Sequence, residues 1–191
     1  MMKRWIIAVL FFVFALSGCG NREESRAKNV VDNYMQEISQ GHFDKAGQYC
    51  TDQYNKNASL ANYQKTIDTI AEESNYSKRE KEVFEQYVLH VIRLQYYSWS
   101  FDQVQHDDRE CIVTLNVEGV SGQDLSTIDI QTMEKDLKQE IFNTQSEEYI
   151  VAFFQTLNER IDQLPKSETL TYFVLTKEGD TWKIAEMVNE S

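Results

Sequence analysis

The feature that most restricts the fold is a change of hydrophobic period part-way along the chain. Cys111, Val113, Leu115 and Val117 alternate with Ile112, Thr114, Asn116 and Glu118. Period two sends successive side chains to opposite faces of a strand, and β-branched residues suit that half-buried surface. Tyr97, Trp99 and Phe101 alternate with Ser98 and Ser100 in the same way, across the polar turn His106-Asp107-Asp108. The spacing predicts a hairpin over 94–105 and 110–119, closed by Gly119 and Gly122. A second hairpin is predicted over 169–176 and 181–188. It turns through Lys177-Glu178-Gly179-Asp180, where Gly179 can take a left-handed conformation.

On either side of the first hairpin the period is helical. Ala27, Val30, Val31, Tyr34, Met35 and Ile38 fit one helix over 25–40, stopped by Gly41. Phe43, Ala46 and Tyr49 fit a short helix over 43–50, and the polar stretch 51–58 breaks the pattern. Ser59 is placed to cap a third helix carrying Leu60, Tyr63, Ile67, Ile70 and Ala71. Ser77 and Glu80 read as a capping box for a helix over 78–92. After the hairpin, Ile130, Met133, Leu137 and Ile141 predict a helix over 129–144. Ile150, Phe153, Phe154, Leu157, Ile161 and Leu164 predict another over 147–164, ended by Pro165. The fold class is therefore α+β. N-terminal helices pack on an antiparallel sheet of about four strands, with a helical pair inserted before the last hairpin.

The 191 residues are 41% hydrophobic and 12% aromatic. A chain of that size suggests one domain and buries roughly 70% of the surface that its unfolded form exposes. The formal net charge of −12 argues against a nucleic-acid partner, because attraction to phosphate needs a basic surface.

The first residues give an address. Lys3 and Arg4 precede an uncharged apolar run from Trp5 to Leu16. That run is shorter than the ~20 residues a bilayer-spanning helix needs, and has the proportions of a signal-peptide core. It ends in Leu16-Ser17-Gly18-Cys19, which resembles the bacterial lipobox. The resemblance implies cleavage before Cys19 and acylation of its thiol, and so a signal peptide over 1–18, a short tether over 19–24 and a domain over 25–191. The chain is then expected on the extracytoplasmic face of a cell membrane, held there by lipidated Cys19. Lipid chains contribute about 0.8 kcal/mol per buried CH₂, so a two- or three-chain anchor suffices without an amphipathic surface. That compartment permits a disulfide between Cys50 and Cys111. Cys111 equally suits a buried free thiol, and the lack of a CxxC motif removes any thioredoxin-like reading.

Two further places carry a resemblance to a known superfamily. One is Ile38-Ser39-Gln40-Gly41-His42-Phe43-Asp44-Lys45-Ala46, and the other is Glu178-Gly179-Asp180-Thr181-Trp182-Lys183-Ile184. With the element order, they resemble the nuclear-transport-factor-2-like superfamily and its cystatin-like α+β cone. Uncharacterised lipoproteins of Gram-positive bacteria often join that fold to a lipobox. The resemblance implies a curved sheet wrapped on helices around an apolar pocket. The superfamily holds isomerases, dehydratases, ligand binders and adaptors, so the fold does not select a function. The helical stretch over 126–164 departs from the minimal cone.

HExxH, GxSxG, GxxxxGK and GxGxxG motifs are absent. His42 and His106 fall in turns, and His90 falls at the edge of an amphipathic helix. Glu72-Glu73 and Glu147-Glu148 read as solvated helix faces. No metal or cofactor site is expected. Tyr97, Trp99, Phe101 and Trp182 form the candidate pocket, with ordinary sheet–helix core as the competing reading. The functional expectation is a non-catalytic domain that binds a small ligand or an extracellular protein near the membrane. The alternative is a cell-envelope enzyme of isomerase or dehydratase type, using a pocket in the same fold.

Overall fold

The computed structural model describes residues 22–57, 63–107, 109–141 and 143–189. The signal segment, Cys19, Ser59 and Asp108 lie outside the described residues. Helix α1 covers 22–39. It is followed by α2 (Phe43–Gly47), α3 (Asp52–Asn57), α4 (Tyr63–Glu73) and α5 (Lys78–Gln95). Strands β1 (Ser98–His106) and β2 (Glu110–Gly119) form the first hairpin. Helices α6 (Gly122–Leu125), α7 (Ile130–Glu140) and α8 (Glu147–Asp162) intervene before β3 (Ser167–Glu178) and β4 (Thr181–Asn189). The four strands form one antiparallel sheet in the order β1-β2-β3-β4. The α+β class, the two hairpins and the helical insertion are those that the sequence predicts.

The inner face of the sheet carries Cys111, Val113, Leu115, Val117, Phe173, Leu175, Trp182 and Ile184, all buried. Against it lies α1, whose Ala27, Val31, Tyr34, Met35 and Ile38 repeat at helical spacing and are each at most 2% exposed. Burial of Val31, Met35 and Ile38 contributes about 1.5–3 kcal/mol each, so α1 is held by its apolar stripe. Tyr34 meets Phe173 edge-on, with ring centroids 5.9 Å apart. The outer-facing Ile112, Tyr172 and Val174 belong to neither hydrophobic cluster.

Helix α5 joins two cores. Val88 and Ile92 face the sheet cluster, whereas Val83, Phe84, Tyr87, Val91 and Leu94 face a second cluster with α7 and α8. The capping box at its start is formed: Ser77 Oγ accepts from Glu80 N, and Ser77 N donates to the Glu80 carboxylate. Ser77 Oγ also donates to Glu147 Oε2 at 2.6 Å, tying α5 to the first turn of α8.

Several boundaries differ from the sequence reading. Helix α1 starts at residue 22, ahead of the expected 25. Helix α2 stops at Gly47, because residues 49–51 leave it to bond β4. Ile184 N donates to Tyr49 O at 2.9 Å, and Thr51 N to Ile184 O at 2.8 Å. The polar stretch expected to be irregular holds α3, which Thr51 opens by accepting from Tyr54 N at 3.2 Å. Helix α5 runs three residues past its predicted end, and β1 starts correspondingly late.

The disulfide is corrected: Cys50 and Cys111 are both free and buried. Cys50 pairs laterally with Ile184, Ile184 with Leu175, and Leu175 with Cys111. Three inter-strand spacings of ~4.8 Å put the two backbones about 14 Å apart. A disulfide requires Cα atoms within about 7 Å. Burial pushes the thiols up to about 12 for Cys50 and about 11 for Cys111, so both stay protonated and inert near neutrality.

Candidate functional site

The four aromatic residues singled out from the sequence do not converge on a cavity. Trp99 and Phe101 share the inner face of β1 and lie under α1. Trp99 Nε1 donates to Asp32 Oδ1 at 2.9 Å, and the Lys28 ammonium stands 5.6 Å from the Phe101 ring centre. Tyr97 precedes the strand, is 57% exposed, and has Lys166 Nζ 4.3 Å from its ring centre. Trp182 is 2% exposed on the opposite edge strand, beneath Lys177 at 4.8 Å. Trp99 and Phe101 anchor α1 on the sheet, and Val31, Tyr34, Met35 and Ile38 of α1 share one buried cluster with the inner face.

Among the described residues, the space between helices and sheet opens at one end of the inner face. There the inner-facing positions change from apolar to polar. Strand β3 reads Leu175, Phe173, then Thr171 and Thr169, and β4 reads Ile184, Met187, then Asn189. Thr171 is 1% exposed and its Oγ1 bonds the Asn189 side-chain oxygen at 3.0 Å. A buried hydroxyl at this depth costs free energy unless it is bonded, and Asn189 supplies that bond.

A cleft of about 510 Å³ lies over this polar end. Its walls are Gln95 and Tyr96 at the end of α5, Val117 and Gly119 to Gln123 around the β2–α6 turn, and Ser167 to Thr169, Thr171 and Asn189 from the sheet. Close backbone packing shapes it. A Cβ on Gly119 would meet Gln95 O at 2.1 Å, and Val120 N donates to Leu94 O at 2.9 Å. This seats the end of α5 on β2 and turns Tyr96 into the cleft wall. Burial raises the Tyr96 phenol above its ordinary value, so it remains a neutral donor and acceptor. Glu168 contributes a carboxylate; the other side chains named in the wall are neutral amides, hydroxyls and apolar groups. A second depression of about 560 Å³ lies beside α3, and its strand residues Thr176 and Glu178 face outward.

The sequence missed this site because its polar signal is short. The only trace is the replacement of apolar residues by Thr169 and Thr171 at inward positions of β3. Among the described residues no group of three or more His, Cys, Asp or Glu is placed to hold a metal ion. His42 bonds Glu37 at 2.8 Å and His90 bonds Asp162 at 2.8 Å, both on the surface and away from the cleft.

No protein-family model matches the chain. No curated protein matches it either. Among solved structures, the chain is similar to ycdA of Bacillus subtilis, described as a candidate lipoprotein. The two are 19% identical with a TM-score of 0.43, over 70% of this chain and 46% of that one. The chain thus matches less than half the length of that protein.

Proposed function

We propose that this chain is a lipid-anchored, extracytoplasmic binding protein, and that the cleft at the polar end of the sheet takes a small, neutral ligand rich in hydroxyl and amide groups. The anchor rests on the sequence Leu16-Ser17-Gly18-Cys19 behind an apolar run of signal-peptide length. Among the described residues no helix is long and apolar enough to cross a membrane. The observation that carries the binding reading is the inward switch from Phe173 and Leu175 to Thr171 and Thr169 beneath a cleft of about 510 Å³. Neutral amides and hydroxyls fix a ligand by direction of hydrogen bonding, and Tyr96 adds a flat apolar surface with a polar tip. The ligand expected is thus polar, where the resemblance to the cone fold implied an apolar one.

The test is titration of the mature protein in detergent micelles with neutral oligosaccharides and uncharged short peptides, followed by amide NMR shifts. Shifts confined to 95–96, 119–123 and 167–171, with affinity reduced several-fold in Thr171→Val and Tyr96→Ala, support the reading. Affinity unchanged by either substitution, or shifts elsewhere on the surface, overturns the assignment of the cleft.

A further inference from the structure

The first turn of α1 is pinned at one end of the sheet, and this has a consequence for the anchored protein. Lys177 Nζ pairs with Glu23 Oε2 at 2.9 Å while its ammonium covers Trp182. Lys177 stands at the β3–β4 turn, and its N–H bonds Arg109 O in the β1–β2 turn. Both hairpin turns and the start of α1 therefore share one end of the molecule. Helix α1 has no freedom to swing away, since Ala27 and Val31, one and two turns on, are fully buried against the sheet.

The cleft lies at the other end. Strand β3 runs from Thr169 in the cleft to Lys177 at the turn, a rise of about 26 Å at ~3.3 Å per residue. Fully extended, the chain from Cys19 to Glu23 spans at most about 14 Å.

We infer that the protein stands on end on its membrane, with the two hairpin turns facing the headgroups and the cleft facing outward. This rests on the lipid-anchor reading above. The short reach of the tether sets the orientation. Charge opposes a flat arrangement, because the mature chain, without Lys3 and Arg4, has a net charge of −14 and is repelled by an anionic headgroup layer. The turns themselves present Asp107, Glu178 and Asp180 beside Arg109 and Lys177, a mixed surface that makes the contact close without being strongly adhesive. The partner surface is the anchor's own bilayer, and a ligand reaches the cleft from the outer side.

The experiment uses the mature acylated protein in vesicles of phosphatidylglycerol and phosphatidylcholine doped with headgroup-labelled quencher lipid. A fluorophore is placed at Asp180→Cys or at Gln123→Cys, both exposed positions. The native Cys50 and Cys111 are buried and take no label under folding conditions. Quenching is expected to be several-fold stronger at 180 than at 123. Inserting about twelve Gly/Ser residues after Gly20 is expected to erase the difference, because a flexible linker of that length spans roughly 20 Å. Equal quenching at the two sites, or the reverse order, overturns the orientation while leaving the anchor intact. A difference that survives the insertion overturns the tether as its cause. Acylation is read separately by mass spectrometry of the mature N-terminus. Its absence removes the anchor and the orientation together.

Discussion

Thr171 and the two cysteines show how much a single buried polar atom can decide. Thr171→Val keeps the shape and removes the bond to Asn189. Asn189 is exposed, so its amide returns to water and no buried group is orphaned. The stability change is expected to stay within about 1 kcal/mol, since loss of one hydrogen bond is offset by the added apolar group. Ligand binding at the cleft is nevertheless expected to fall several-fold. Equal losses in denaturant midpoint and affinity would mean that Thr171 is only structural. Cys50 and Cys111 give a complementary prediction. Iodoacetamide at pH 8 should leave both unmodified in the native protein and alkylate both in guanidinium, because burial keeps the thiolate scarce. Rapid native alkylation of either would show that its pocket opens readily.

At the scale of elements, the seat of α5 on β2 is the contact that builds the cleft. Gly119→Ala would drive a methyl group into a backbone carbonyl, Gln95 O, which cannot rotate away. A cost of about 2 kcal/mol or more is expected by urea unfolding, in the upper part of the range for overpacking. A change below about 0.5 kcal/mol would show that the end of α5 is free to move. The hairpins and the long helices were legible in the sequence because their period repeats within a few residues. Helix α3 was not: Asp52–Asn57 has no apolar stripe, and the helix depends on Thr51 at its start and Tyr54 against the core. The cleft was hidden for a different reason. Its position depends on where α5 stops and which β3 residues face inward, and both are set by tertiary packing. The aromatic pocket failed because alternation assigns faces, not neighbours. Trp99 and Trp182 share a face but stand on the two edge strands of the sheet.

For the molecule as a whole, the shared use of α5 predicts how the protein comes apart. Burial raises the phenols of Tyr34, Tyr54, Tyr63 and Tyr96 in the sheet core and of Tyr87 in the helical core, with Tyr63 at about 12. An acid whose pKa is raised on folding holds its proton more tightly in the native state. Its stabilisation is complete below the unfolded value, near 8.5 for a thiol and 10 for a phenol, and is lost as pH rises toward the folded value. Stability should therefore be level from neutrality to about pH 8 and fall between about 8 and 12, first through the thiols and then through the phenols. On the acid side, Asp68 is held low by Lys81, and Asp107 and Asp129 by hydrogen bonds from the residues after them. All three are at the surface, so their contribution, lost as pH drops below about 4, is small. The alkaline transition then reports on cooperativity. Since α5 contributes Val88 and Ile92 to one core and Phe84, Tyr87 and Val91 to the other, neither core can ionise and open without disturbing the helix that both need. The cooperative step in tyrosinate absorbance, which reports the buried phenols, and far-ultraviolet circular dichroism should share one midpoint in a titration from pH 8 to 12.5. Two separated steps, with Tyr87 ionising apart from Tyr34 and Tyr96, would mean that the α5–α7–α8 cluster unfolds by itself and that α5 does not couple the cores.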